Sequence, residues 1–126
     1  MKRKFLICKH CGNLVEMIED SSVNITCCGE VMEEIIANTT EAATEKHIPV
    51  YTENENEVTI TVGETIHPME ENHYIKWIHL ETNKGNYHFN LKPGMEPMIK
   101  IKKDENETIL KIYAYCNLHG LWKNEK

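Results

Sequence analysis

Two groups of potential metal ligands divide every cysteine of the chain between them. Cys8, Cys11, Cys27 and Cys28 fall within the first thirty residues. Cys116 stands apart, and His47, His67, His73 and His119 share the remaining two-thirds of the chain with it. Four thiolates complete a tetrahedron and leave no room for a further ligand. Four imidazoles with one thiolate leave an octahedral metal one position for an outside molecule. The partition therefore implies two different centres, one closed and one open.

The thiolate group is built on two short turns. Phe5-Leu6-Ile7 leads into Cys8-Lys9-His10-Cys11-Gly12, and Val23-Asn24-Ile25-Thr26 leads into Cys27-Cys28-Gly29. A C-x2-C pair brings two sulfurs together across one turn, and the glycine after each pair supplies the positive φ of a tight bend. Adjacent cysteines project differently, so Cys27-Cys28 must distort the tetrahedron. Sulfur tetrahedra hold zinc or iron, and the spacing leaves both open. A vicinal disulfide would close a strained ring and leave Cys8 and Cys11 unexplained. His10 reads as a solvated loop residue.

The second group is dispersed. Cys116-Asn117-Leu118-His119-Gly120 places a thiolate and an imidazole on one sharp turn at a strand end. Cys116 falls on the apolar face of its strand, so its sulfur enters from the interior, and the amides of Leu118 and His119 can hydrogen-bond it. His67 is held extended by Pro68, His73 follows a polar loop, and His47 precedes the extended Ile48-Pro49-Val50. His79 and His88 lie inside strand patterns and read as structural.

The elements that must position these groups are strands. Val58, Ile60 and Val62 alternate with threonines; Tyr87, Phe89 and Leu91 with His88 and Asn90; Ile99 and Ile101 with lysines. Leu110, Ile112, Ala114 and Cys116 are expected to share one face of a last strand. Turn residues at Asn83-Lys84-Gly85-Asn86, Pro93-Gly94 and Asp104-Glu105-Asn106 separate the runs, a pattern of an antiparallel β-sandwich. Residues 1–36 are too few to fold on an apolar core alone, so a metal there contributes folding free energy. A polar stretch from Ala37 to Lys46 links them to the rest.

Composition narrows the function classes. The net charge of −6 argues against a nucleic-acid partner, and an anionic substrate would need a local positive charge to overcome it. No apolar run reaches the roughly 18 residues of a membrane span. After Met1-Lys2-Arg3-Lys4 only Phe5-Leu6-Ile7 precede Cys8, short of the roughly 7–15 apolar residues of an export signal, and the expected address is the cytoplasm.

Glu45-Lys46-His47-Ile48-Pro49-Val50 together with Cys116-Asn117-Leu118-His119-Gly120 resembles the desulfoferrodoxins, the two-iron class of superoxide reductase. Cys8-x-x-Cys11 with Cys27-Cys28 resembles that family's desulforedoxin-like module, so the resemblance spans essentially the whole chain. It implies a mainly β fold: a desulforedoxin-like module over residues 1–36, then an immunoglobulin-like antiparallel β-sandwich over residues 37–126. It also implies two iron ions per chain. The four early cysteines would hold a distorted FeS4 centre. His47, His67, His73 and His119 would surround a mononuclear iron with Cys116 as axial thiolate. Glu45 would be able to occupy the sixth position in the oxidised state, and Lys46 would draw in superoxide. A rubredoxin-like donor and a homodimer are implied as partners. The alternatives are a non-enzymatic iron electron-transfer protein whose second metal is structural, and a dismutase, which would have to oxidise superoxide as well as reduce it.

Overall fold

A computed structural model describes residues 4–125. The chain divides into two compact units, Met1–Ile36 and Ala37–Lys126. In the first, β1 (Lys4–Ile7), β2 (Leu14–Met17) and β5 (Glu33–Glu34) form a sheet in the order β2-β1-β5, and β3 (Thr26–Cys27) pairs with β4 (Glu30–Val31). The turn between β1 and β2 is tied by Gly12 N–H to Cys8 O at 2.9 Å and by Cys8 N–H to Asn13 O at 2.8 Å. Its core is small: Leu6, Cys8 and Met32, with Val15, Met17 and Cys27 packed against them. So few apolar side chains cannot offset the ordering of more than thirty residues, as expected of a unit that needs a metal.

The second unit opens on one helical turn, α1 (Thr44–His47), and continues through β6 (Pro49–Asn54), β7 (Glu57–Val62), β8 (Ile75–Thr82), β9 (Asn86–Asn90), β10 (Met98–Lys102), β11 (Ile109–Cys116) and β12 (Gly120–Glu125). Two antiparallel sheets result, β10-β7-β6 and β12-β11-β8-β9. Val58, Ile60 and Val62 of β7 meet Ile75, Ile78 and Leu80 of β8 and Ile112, Ala114 and Cys116 of β11 in one buried cluster. This is the β-sandwich that the alternation predicted.

Two strands escape the alternation rule. Most of β8 is buried on both faces, so its burial does not alternate with a period of two. The edge strand β6 ends in exposed Thr52, Glu53 and Asn54. One expectation is corrected: Leu110 does not share the face of Ile112, Ala114 and Cys116 but is exposed. A register shift between Ile109 and Lys111 inserts an extra residue there, and Ile109 takes the buried place.

The sandwich carries its polar anchor at the end of β8 away from His73. The buried Glu107 carboxylate accepts from Thr82 Oγ1 at 2.6 Å, from Tyr87 Oη at 2.9 Å and from the Asp104 amide at 3.1 Å. These bonds hold its pKa below the usual carboxylate range, led by the Thr82 hydroxyl and opposed by desolvation.

Candidate metal centres

The sulfurs of Cys8, Cys11, Cys27 and Cys28 all lie within 4.8 Å of one another, and none is in a disulfide. Cys11 Sγ and Cys27 Sγ are 3.6 Å apart. A tetrahedron with metal–sulfur bonds of roughly 2.3 Å has edges of about 3.8 Å, so the spacing suits one metal ion. The vicinal pair converges because Cys28 adopts φ 54° and Gly29 follows at φ 78°, which turns the second sulfur back toward the first three. Asn13 braces the group, its amide 3.5 Å from Cys11 Sγ and its side-chain nitrogen 3.6 Å from Cys27 Sγ. His10 stays outside, paired with Glu30 at 2.9 Å on the surface.

The electrostatics of this cluster call for a cation. Backbone N–H groups, Cys11 first, pull the Cys8 thiol down to about 6. The same crowd of sulfurs, again Cys11 first, pushes Cys28 up to about 12 and raises Cys27 as well. One thiolate forms readily and its neighbours then resist ionisation. Only a bound positive charge lets all four become thiolates together.

The second group comes together at one end of the sandwich. Four imidazoles form a closed ring in the order His47, His67, His73, His119. Neighbouring centroids are 4.6, 4.7, 5.1 and 4.9 Å apart around it, and adjacent planes meet at 75 to 89°. His47, His67, His73 and Cys116 have donor atoms within 4.8 Å of one another. His119, across the ring from His67, completes the set with Nδ1 3.2 Å from His47 Nε2 and 3.8 Å from Cys116 Sγ. Cys116 is wholly buried and lies in the sandwich core, as its face of β11 required. Burial raises its pKa, while the amides of His119 and Leu118 bond the sulfur and oppose that rise.

Local structure orients each ring. His47 closes α1 and donates Nδ1–H to Ala43 O at 2.7 Å. His67 donates Nδ1–H to Pro68 O at 2.7 Å. Both therefore present an Nε2 lone pair to the centre of the ring. Burial, the leading cause in each, lowers both pKa values, that of His67 to about 4, so both rings are neutral at neutral pH. α1 itself is clamped: Thr65 N–H donates to Glu45 O at 2.8 Å, and a Cβ on Gly63 would sit 2.7 Å from that same oxygen. Glycine is required there by backbone contact.

The donor set passes a test of fit for a metal. His47 Nε2 and His67 Nε2 face each other at 3.1 Å with no proton between them. His73 Nε2 is buried and has no hydrogen-bond partner among the described residues. Convergent lone pairs without donors are costly in a protein interior unless a cation accepts them. Three Nε2 atoms, one Nδ1 and one sulfur are donors of the kind that iron takes.

Glu45 and Lys46 share α1 with His47, and both side chains are exposed. The Glu45 carboxylate is not among the grouped donor atoms. His79 and His88 lie elsewhere, Nδ1 to Nδ1 at 3.1 Å across β8 and β9, in keeping with their structural reading. One neighbour of the site escaped the sequence: Trp122 stacks on His47 at 4.8 Å and donates Nε1–H to His119 O at 3.1 Å. Its only signal was an aromatic residue three positions after a ligand.

The desulfoferrodoxin family model matches residues 39–125. A desulfoferrodoxin from Syntrophotalea carbinolica is 41% identical over 118 residues, covering 94% of this chain and 92% of that protein. The crystal structure of the superoxide reductase from Treponema pallidum aligns with a TM-score of 0.82 at 32% identity, covering 99% of this chain and all of the other. The one-iron superoxide reductase from Giardia intestinalis aligns at 35% identity with a TM-score of 0.53, over 65% of this chain and 97% of its own. With a family model matching residues 39–125 and a desulfoferrodoxin 41% identical over 94% of it, the chain belongs to the desulfoferrodoxin family.

Proposed function

We propose that the chain reduces superoxide by one electron to hydrogen peroxide at the His4Cys centre, and is then re-reduced by an external donor. The observation that carries this reading is the ring of four perpendicular imidazoles beside a wholly buried thiol. His73 and His119 are only half-buried, so solvent reaches the ring, and it does not arrive from the side of Cys116. A purely structural site needs no such opening.

Two iron sites serve the chain, one of four cysteines and one of four histidines with a cysteine. We assign Cys8, Cys11, Cys27 and Cys28 to the first, and His47, His67, His73, His119 and Cys116 to the second. When bound, iron supplies the single electron and the positive charge that an anionic substrate meets. Neutral imidazoles leave that charge largely uncancelled, and the Cys116 thiolate offsets one unit of it. The amides of Leu118 and His119 keep the thiolate form available in a buried place. Lys46, on the exposed face of α1, draws superoxide toward a protein whose net charge of −6 repels it. Glu45, one residue away, is the carboxylate proposed to occupy the remaining position after oxidation. The balance is one superoxide, one electron and two protons for each hydrogen peroxide.

The donor we propose is a rubredoxin-like one-electron carrier, and the assembly a homodimer. Ile18, Val23, Val31 and Ile36, all in the first unit, are exposed, and so large an apolar share on so small a unit favours pairing. Five free thiols suit the reducing cytoplasm. No helix among the described residues is long and apolar enough to cross a membrane.

The test is pulsed generation of superoxide on the reduced, iron-loaded chain. One peroxide per superoxide, with oxidation of one iron per turnover and no oxygen released, is expected. Oxygen evolution at half that stoichiometry would make the protein a dismutase. A chain that binds iron yet leaves superoxide untouched would return it to electron transfer alone.

A further inference from the structure

We propose that Asn117 is the positioning residue that fixes the His73 imidazole relative to Cys116, by acting in place of a strand residue beside the loop between β7 and β8. The proposal rests on the reading of His73 as a metal ligand.

The ladder between β11 and β8 ends at the pair Cys116 and Ile75, after a register shift at Tyr115. Beyond it the backbones would part, and Asn117 prevents this. Its own N–H donates to Tyr74 O at 3.2 Å. Its side-chain Oδ1 accepts from Tyr74 N–H at 2.9 Å, and its Nδ2 donates to Asn72 O at 3.0 Å. The carboxamide is a planar group with one acceptor side and one donor side, as a peptide unit is. It brackets His73 as a neighbouring strand would, by the groups immediately before and after that residue. Turning the amide over would set NH2 against N–H and oxygen against oxygen, so the network admits one orientation.

The bracket matters because His73 differs from the other ligands. His47 and His67 are each pinned by a ring N–H on a backbone carbonyl, and the His119 carbonyl carries the Trp122 indole. The His73 ring makes no such bond among the described residues, and its buried Nε2 faces the site unpartnered. Its backbone bonds, to Glu70 at 2.9 and 3.1 Å, lie within the same loop and move with it. The placement of that ring is therefore inherited from Asn117, whose backbone is continuous with Cys116. No other side chain fits the role: aspartate lacks the donor, glutamine is one methylene too long, and serine offers a single group.

The experiment uses the full chain as Asn117→Asp and Asn117→Ala, with Tyr87→Phe as a control that loses a bond at the far end of β8. Ferrous iron is titrated anaerobically against a chelator, the ferric spectrum and paramagnetic resonance are recorded, and exchange of the Tyr74 amide is followed in the zinc-loaded protein. Expected for both Asn117 variants are second-site iron affinity lower by about 10–100-fold, an altered ferric signal from that site and an unchanged four-cysteine spectrum, with faster Tyr74 exchange in Asn117→Ala, which loses the acceptor. Tyr87→Phe should lower the melting temperature and move none of these. Should Asn117→Ala fail to fold, Asn117→Asp, which keeps the acceptor and loses the donor, decides the matter. Wild-type second-site affinity and a wild-type ferric signal in Asn117→Asp would overturn the proposal. A wild-type chain that takes up one iron only, at the cysteines, would overturn the reading of the second site and this inference with it.

Discussion

His47 Nε2 and His67 Nε2 stand 3.1 Å apart, although each ring has already given its one proton to a backbone carbonyl through Nδ1. Two lone pairs at that distance repel, and the fold holds them there. Without metal this arrangement is a defect in an otherwise well-packed core; with metal it becomes the bond-forming feature. His67 is 1% exposed, so an apolar side chain could replace it without meeting water.

His67→Leu should therefore separate the two roles. Without metal, the variant should be as stable as the wild-type chain or more so, because the conflict of lone pairs is gone. With metal, the order should reverse, since binding at 100 times Kd adds about 2.7 kcal/mol to the wild type alone. Thermal unfolding with and without added iron, alongside metal analysis falling from two irons to one, checks both halves. A metal-free variant several kcal/mol less stable than the metal-free wild type would show that the ring is held by something other than a missing cation.

Cys116→Ser should abolish the thiolate charge-transfer band of the second centre and spare that of the four-cysteine centre. Cys116 is the one cysteine outside the first unit, so no other sulfur can substitute for it. Optical spectra of the oxidised protein decide it. Equal bleaching of both bands would mean that the two centres are not separate.

Trp122 ties two residues of the imidazole ring at once, through a stack on His47 and a hydrogen bond to the His119 carbonyl. Trp122→Phe keeps a ring against His47 and loses the bond, at a cost of about 1 kcal/mol. Trp122→Ala loses both and opens a cavity at a position 1% exposed, costing about 3–5 kcal/mol. The phenylalanine variant should shift the ferric spectrum slightly while the alanine variant should also lose second-site iron on dialysis. Identical iron retention in all three proteins would reduce Trp122 to core packing.

Glu107 gives the sandwich an acid limit. Its pKa is depressed in the folded state, so its contribution is complete above the unfolded carboxylate value of about 4.3 and disappears as pH falls through the lower folded value. Glu107→Gln cannot ionise and should lose stability near neutral pH, with a shallower fall between pH 5 and pH 3 than the wild type shows. Tyr87→Phe removes one of the bonds to this carboxylate and should cost about 1–3 kcal/mol at neutral pH. Urea unfolding across that pH range is the measurement; parallel curves for wild type and Glu107→Gln would rule out the carboxylate as the source of the acid sensitivity.

How far the sequence could be read depended on which periodicity each segment kept. β7 alternates cleanly because one of its faces meets the core. In β11 the inward Ile112, Ala114 and Cys116 keep the period of two although Tyr113 between them is buried as well. β8 is buried on both faces, so its pattern marks a strand around His79 without saying which face meets the core. Alternation puts Leu110 inward because it cannot register a bulge, which changes the count of residues without changing their type. The ligands were recognisable by residue type and by resemblance. Their closure into a ring depends on contacts between distant segments, such as His47 with His119. The same holds for Trp122 and Asn117, whose roles are defined by partners that no local spacing names.

Lys46→Ala separates attraction from chemistry. The lysine sits on a one-turn helix whose backbone is fixed independently of its side chain, by Ile48 N–H to Thr44 O at 2.9 Å and Thr65 N–H to Glu45 O at 2.8 Å. Truncating it should leave His47 in place and the ferrous spectrum unchanged. The net charge would move from −6 by one unit further negative, and the local attractor would be gone. Capture of superoxide should slow roughly ten-fold at low salt, within the range of electrostatic steering. Raising ionic strength should narrow the gap between variant and wild type, since attraction beyond about 8 Å is screened at physiological salt. Glu45→Ala should behave in the opposite sense: capture nearly unchanged, oxidised spectrum altered. Pulsed superoxide at several salt concentrations reads all of this, and a Lys46→Ala rate equal to wild type at low salt would make this lysine an ordinary surface residue.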